Sequence, residues 1–67
     1  MQSGKVKWFN NKKGYGFILP DDGGKDIFVH ITAVHESKLR SLQDDQLIGY
    51  DVKEENGKIC AYNLILK

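Results

Sequence analysis

The sequence predicts an all-β protein, a small barrel closed from five short antiparallel strands. Three observations lead to that class. Runs rich in β-branched and aromatic residues recur at KVKWFN (5–10), GYGFILP (14–20), KDIFVHI (25–31), QLIGYDVKEE (46–55) and KICAYNLILK (58–67). Turn-forming residues separate most of them. A chain of 67 residues is expected to form a single domain over 1–67, and closing the sheet removes the unpaired edges that so small a sheet would otherwise expose.

Each element has its local reason. The first run ends in NNKK (10–13), a polar turn of residues that tolerate tight backbone angles. The second closes on Pro20, and DDGG (21–24) reads as a hairpin loop. The third is the densest in β-formers. TAVHESKLRSLQDD (32–45) is the longest connection, and its apolar residues Val34, Leu39 and Leu42 are only weakly helical in spacing. A helical turn followed by a loop is expected there. Asn56-Gly57 is the sharpest two-residue hairpin signal in the chain. No repeat, linker or low-complexity segment interrupts the pattern.

Composition excludes several classes. A single cysteine, Cys60, rules out an internal disulfide, and no CxxC or Cys/His cluster suggests zinc. That usage agrees with a reducing cytoplasm, the expected location. No apolar run approaches the roughly 18 residues of a membrane span. The N-terminal MQSGKVKWFNNKK lacks the apolar core of a signal peptide. His30 has no cysteine or carboxylate in register to share a metal with, and His35 reads as an exposed loop residue. No carboxylate cluster or nucleophile–base pair stands out, so neither an enzyme, a cofactor nor a small-molecule substrate is expected.

Charge is more telling in its distribution than in its sum. The formal net charge is +1. Residues 1–20 carry Lys5, Lys7, Lys12 and Lys13 and no acid, whereas residues 21–67 carry six basic and nine acidic residues. The basic third is also where Trp8, Phe9, Tyr15 and Phe17 lie. Asp44, Asp45, Glu54 and Glu55 read as solvated.

The stretch KGYGFI (13–18) raises the question of which face is inside. Alternation puts Tyr15 and Phe17 on one side and Gly14, Gly16 and Ile18 on the other. In the third run Ile27, Val29 and Ile31 oppose Phe28 and His30. Two pairings are self-consistent. With the aliphatic face inside, Ile18, Ile27 and Val29 fill the core and the glycines sit where a coiled strand crowds the interior. With the aromatic face inside, His30 is buried without an evident partner and three aliphatics lie in water. The first is favoured. By alternation Tyr50 points inward with Ile48 and Val52. Tyr62 reads as surface or platform edge, with surface favoured, and Cys60 as a small apolar residue of the last strand.

That choice leaves Trp8, Tyr15, Phe17 and Phe28 on the outside, more apolar ring surface than the few hundred Å² an ordinary monomer shows. Rings interleaved with lysines suit single-stranded nucleic acid, whose bases stack and whose phosphates pair with cations. Two other readings stand beside it. An enzyme acting on nucleic acid would need a catalytic cluster that is not evident. A protein-interaction barrel could use the aromatic face for peptides, which explains the rings but not the lysines.

GKVKWFNNKKGYGFI (4–18) followed by KDIFVHITAV (25–34) closely resembles the cold-shock domain family, and the likeness continues through Leu42, Gln46 and Ala61-Tyr62-Asn63. KGYGFI and IFVHI are similar to that family's two ribonucleoprotein-type motifs. The resemblance implies a five-stranded oligonucleotide/oligosaccharide-binding (OB) barrel. It also implies binding of single-stranded RNA and DNA, RNA-chaperone activity without ATP, and a free-standing, monomeric bacterial protein. Matched position by position, Trp8, Tyr15, Phe17, Phe28 and His30 form the stacking platform. Lys7 and Lys13 are flanking cations, Lys5 lies nearby, and Arg40 stands where the long loop offers a cation. For Asn10, base contact and turn shaping are both open. Ile31 and Leu39 occupy positions that are often aromatic in the family, which implies a smaller platform. The family's Gly-Pro before the last strand is absent, and Lys58 is expected to supply a phosphate contact there.

Overall fold

The computed structural model describes residues 1–67. Its strands are β1 (Gln2–Asn10), β2 (Tyr15–Pro20), β3 (Ile27–His30), β4 (Leu47–Glu55) and β5 (Lys58–Leu66), with one short helix, α1 (Ile31–Glu36), between β3 and β4. They close a barrel in the order β1-β2-β3-β5-β4. This is the five-stranded OB arrangement. Four of the five neighbouring pairs are antiparallel. The β3–β5 pair is parallel, a correction to the all-antiparallel expectation. The reason is topological: α1 and the long loop carry the chain across the barrel, so β5 returns alongside β3 in the same direction.

Ile31 departs from the strand expected over 25–31, because the chain turns into α1 at that point. His30 caps the helix, its Nδ1 accepting from the Thr32 N–H at 3.2 Å. The weak helical spacing of the connection thus becomes one short helix that buries Ala33 and Val34. Gly14 also lies outside the strand, in the turn before β2, where its φ of +83° suits glycine. The Asn56-Gly57 signal forms as expected, with φ of 50° and 78° at the two positions, as a type I′ turn requires.

The aliphatic face is the inside. Ile18 and Val29 are 0% exposed and Ile27 is buried with them. They join Val6, Ala33, Val34, Leu42, Ile48, Tyr50, Ala61 and Leu64 in one core of eleven residues, with no buried charged side chain. β1 serves two neighbours. Its first half pairs with β4 and the stretch from Gly4 onward with β2. A register shift between Val6 and Trp8 leaves Lys7 as the bulged residue. The bulge reverses the alternation, so Val6 is buried, Phe9 packs on the core, and Trp8 points outward.

Tyr50 is the largest fully buried side chain. Burial first, then the carboxylates of Asp22 and Asp21, raise its phenol above the ordinary value of 10.0. The folded state therefore holds the proton where the unfolded chain has begun to lose it. This contribution is complete below about pH 10 and is lost as pH rises through the higher folded value. Tyr50→Phe is expected to flatten the decline of stability in alkaline denaturation. An unchanged decline would remove Tyr50 as its source.

Candidate nucleic-acid interface

Strand register builds the surface. Trp8 pairs with Phe17 and Phe17 with Phe28, one row across β1, β2 and β3. Asn10 pairs with Tyr15 and Tyr15 with His30, the next row. The four aromatic rings are half-buried and His30 is exposed. They touch as a continuous sheet of π surface. Trp8 lies 5.6 Å from Tyr15 and 5.4 Å from Phe17, edge to face. Tyr15 stacks on Phe28 at 5.7 Å, and Phe17 meets Phe28 at 5.9 Å. Phe28 and His30 are tilted, 6.3 Å apart. Such pairs are each worth about 0.5–1.5 kcal/mol beyond area burial, so the rings brace one another against collapse.

Beneath the rings the backbones approach closely. A Cβ built on Gly16 would stand 2.3 Å from the Trp8 carbonyl oxygen and 2.7 Å from Phe9 Cα. Glycine at this position lets β1 and β2 coil together and hold Trp8 against Phe17.

The cations are distributed around the rim. Lys7 Nζ is 2.9 Å from Asp26 Oδ2, an exposed pair worth only about 0–1 kcal/mol, so the ammonium can exchange Asp26 for a phosphate. Lys13 is exposed at the β1–β2 turn. Lys58 Nζ is 5.7 Å from the Phe28 ring centroid. Asn11 Nδ2 donates to Ser41 Oγ at 3.0 Å, which draws the long loop, with exposed Arg40 beside Ser41, toward the same turn. Lys5 stands off the end of the aromatic rows, paired with Leu19 and Leu47.

Asn10 shapes the turn after β1. Its Oδ1 accepts from the backbone N–H of Lys12 and Lys13, at 2.9 and 3.0 Å. Leu39 turns back to pack on the core, and half-buried Ile31 lies beside Gly14. The contiguous rings on β1, β2 and β3 are accordingly five, those of Trp8, Tyr15, Phe17, Phe28 and His30. Cys60 was read only as a strand residue. It pairs with Phe28 across the parallel closure and extends that row. No local signal marks it, because the pairing spans 32 residues.

An outward aromatic surface with a cationic rim, carried on three adjacent strands of a closed five-stranded barrel, defines a class. The family model of the 'Cold-shock' DNA-binding domain matches residues 2–67, and the chain belongs to the cold-shock domain family. Membership makes it a nucleic-acid-binding protein. The chain is 53% identical over 66 residues to the probable cold shock protein y4cH of Sinorhizobium fredii, covering 96% of both. It is 52% identical over 66 residues, again 96% of both, to cold shock protein CspA of Rhizobium meliloti. To the cold shock-like protein CspG of Escherichia coli it is 43% identical over 63 residues, 94% of this chain and 90% of the relative. No helix is long and apolar enough to cross a membrane.

Proposed function

We propose that the protein binds single-stranded RNA and DNA and acts as an RNA chaperone. The observation that carries this reading is the unbroken ring surface of Trp8, Tyr15, Phe17, Phe28 and His30 on β1, β2 and β3. Lys7, Lys13, Arg40 and Lys58 draw in the phosphate backbone, and Asn10 holds the turn that presents Lys13. Successive bases then stack on the rings at about 1–3 kcal/mol each, with little regard to sequence. A duplex hides its base faces, so the platform selects unpaired strands. A captured strand cannot re-pair, and weak hairpins stay open without ATP. The protein works as a cytoplasmic monomer and catalyses no covalent step.

Trp8 is the only tryptophan and lies within the platform, so it reports occupancy directly. Its fluorescence is expected to be quenched by oligothymidine and by single-stranded RNA, and not by a DNA duplex. Four rim cations predict a slope of about −2 to −3 in log affinity against log salt, at roughly −0.7 per neutralised phosphate. Equal quenching by duplex, or a flat salt dependence, would count against the proposal.

A further inference from the structure

The outward rows do not end at β3. The row Trp8–Phe17–Phe28 continues through Cys60 to Lys53 on β4. Tyr62 lies on the same outward side, 39% exposed, with buried Ala61 between it and Cys60. A bulge makes this possible. Asn63 has a φ of 54°, and the β4–β5 register shifts between Gly49 and Asp51. Leu64 therefore turns into the core while Tyr62 stays out. Lys53 Nζ sits 5.4 Å from the Tyr62 ring centroid. Phe28, His30, Tyr62, Lys53, Glu36 and Glu55 line one concavity of about 310 Å³.

We propose that this concavity is a further subsite, seating one base of a bound single strand and preferring a base with an exocyclic amino group. The inference rests on the single-strand reading above. Phe28, His30 and Tyr62 supply ring surface. Glu36 and Glu55 are acceptor-only when ionised. They pair with an amino donor such as cytosine N4 and oppose the keto oxygen that thymine and uracil carry at that position. Two carboxylates also keep phosphate out of the concavity. Lys53, held at its rim over Tyr62, is the cation for the phosphate outside. The β5–β4 wall thus adds a selective position to a platform that is otherwise indifferent to sequence.

The test uses the intact protein, Trp8 quenching, tetrathymidine, heptathymidine, and heptathymidines with one deoxycytidine walked along the strand. Cytosine and thymine differ at C4, amino against keto, at N3, acceptor against N–H, and by the thymine methyl, so deoxyuridine at the same position is run as the control for the methyl. One position is expected to bind about fivefold or more tighter with cytosine. Tyr62→Ala is expected to weaken heptamers about fivefold or more and to leave tetrathymidine unchanged. Glu36→Gln with Glu55→Gln is expected to erase the cytosine preference while keeping heptathymidine affinity. Should Tyr62→Ala fail to fold, the Glu pair decides alone. Wild-type binding by every variant, with all cytosine positions alike, overturns the subsite and leaves the platform standing. Absence of quenching by tetramer and heptamer alike in the wild type overturns both.

Discussion

Gly16→Ala is expected to cost about 3 kcal/mol or more and to lower the melting temperature by roughly 12 °C or more. The new methyl would meet the Trp8 carbonyl oxygen at 2.3 Å and Phe9 Cα at 2.7 Å, both backbone atoms. A flexible side chain could swing away from such a contact, but paired backbones can relieve it only by separating β1 from β2. A domain of this size has on the order of 3–10 kcal/mol of stability in total, so the substitution removes roughly a third of it or more. Gly57→Ala is the control. Nothing lies within 4 Å of its Cβ, and only its φ of +78° resists the substitution, at about 1–2 kcal/mol. Calorimetry of the two variants checks the prediction. Equal losses in both would mean that backbone conformation, and not close approach, explains Gly16.

Phe17→Ala and Phe28→Ala are each expected to weaken single-strand binding by about 1–3 kcal/mol, roughly five- to 150-fold. Both rings are half-buried and make edge-to-face contacts, so each variant should also melt somewhat earlier. That loss should fall well short of the about 2–5 kcal/mol expected for Ile18→Ala, which opens a cavity in the core. Reading melting temperature and oligothymidine affinity on all three variants separates the roles. Ile18→Ala should lose stability and keep its affinity wherever it remains folded. The reverse pattern, with the phenylalanines governing stability and binding untouched, would refute the platform.

The faces of β2 and β3 were legible because alternation there is simple. Ile18, Ile27 and Val29 share a parity, and burying His30 instead would have stranded a polar ring. Asn56-Gly57 was legible because few sequences satisfy two consecutive positive φ angles. The ends of β3 were less so. Ile31 has strand character, yet it begins α1 because His30 can cap the first turn through Thr32. Leu39 stands at a position that is often aromatic in the family, and only the fold shows that its side chain packs against the core.

What the sequence determined by itself is the list of rings, the aliphatic set that must be buried, and the turns that separate five strands. These follow from side-chain chemistry and short-range backbone preference. What only the tertiary structure decided is how the rings are joined. The bulge at Lys7 turns Trp8 out against the parity of Val6, and the bulge at Asn63 parts Tyr62 from Leu64. The parallel closure of β3 on β5 places Cys60 beside Phe28 and brings the Lys53–Tyr62 wall to the platform's edge. Bulges and closure are set by the curvature of a whole barrel, a property of all five strands at once that no single segment carries.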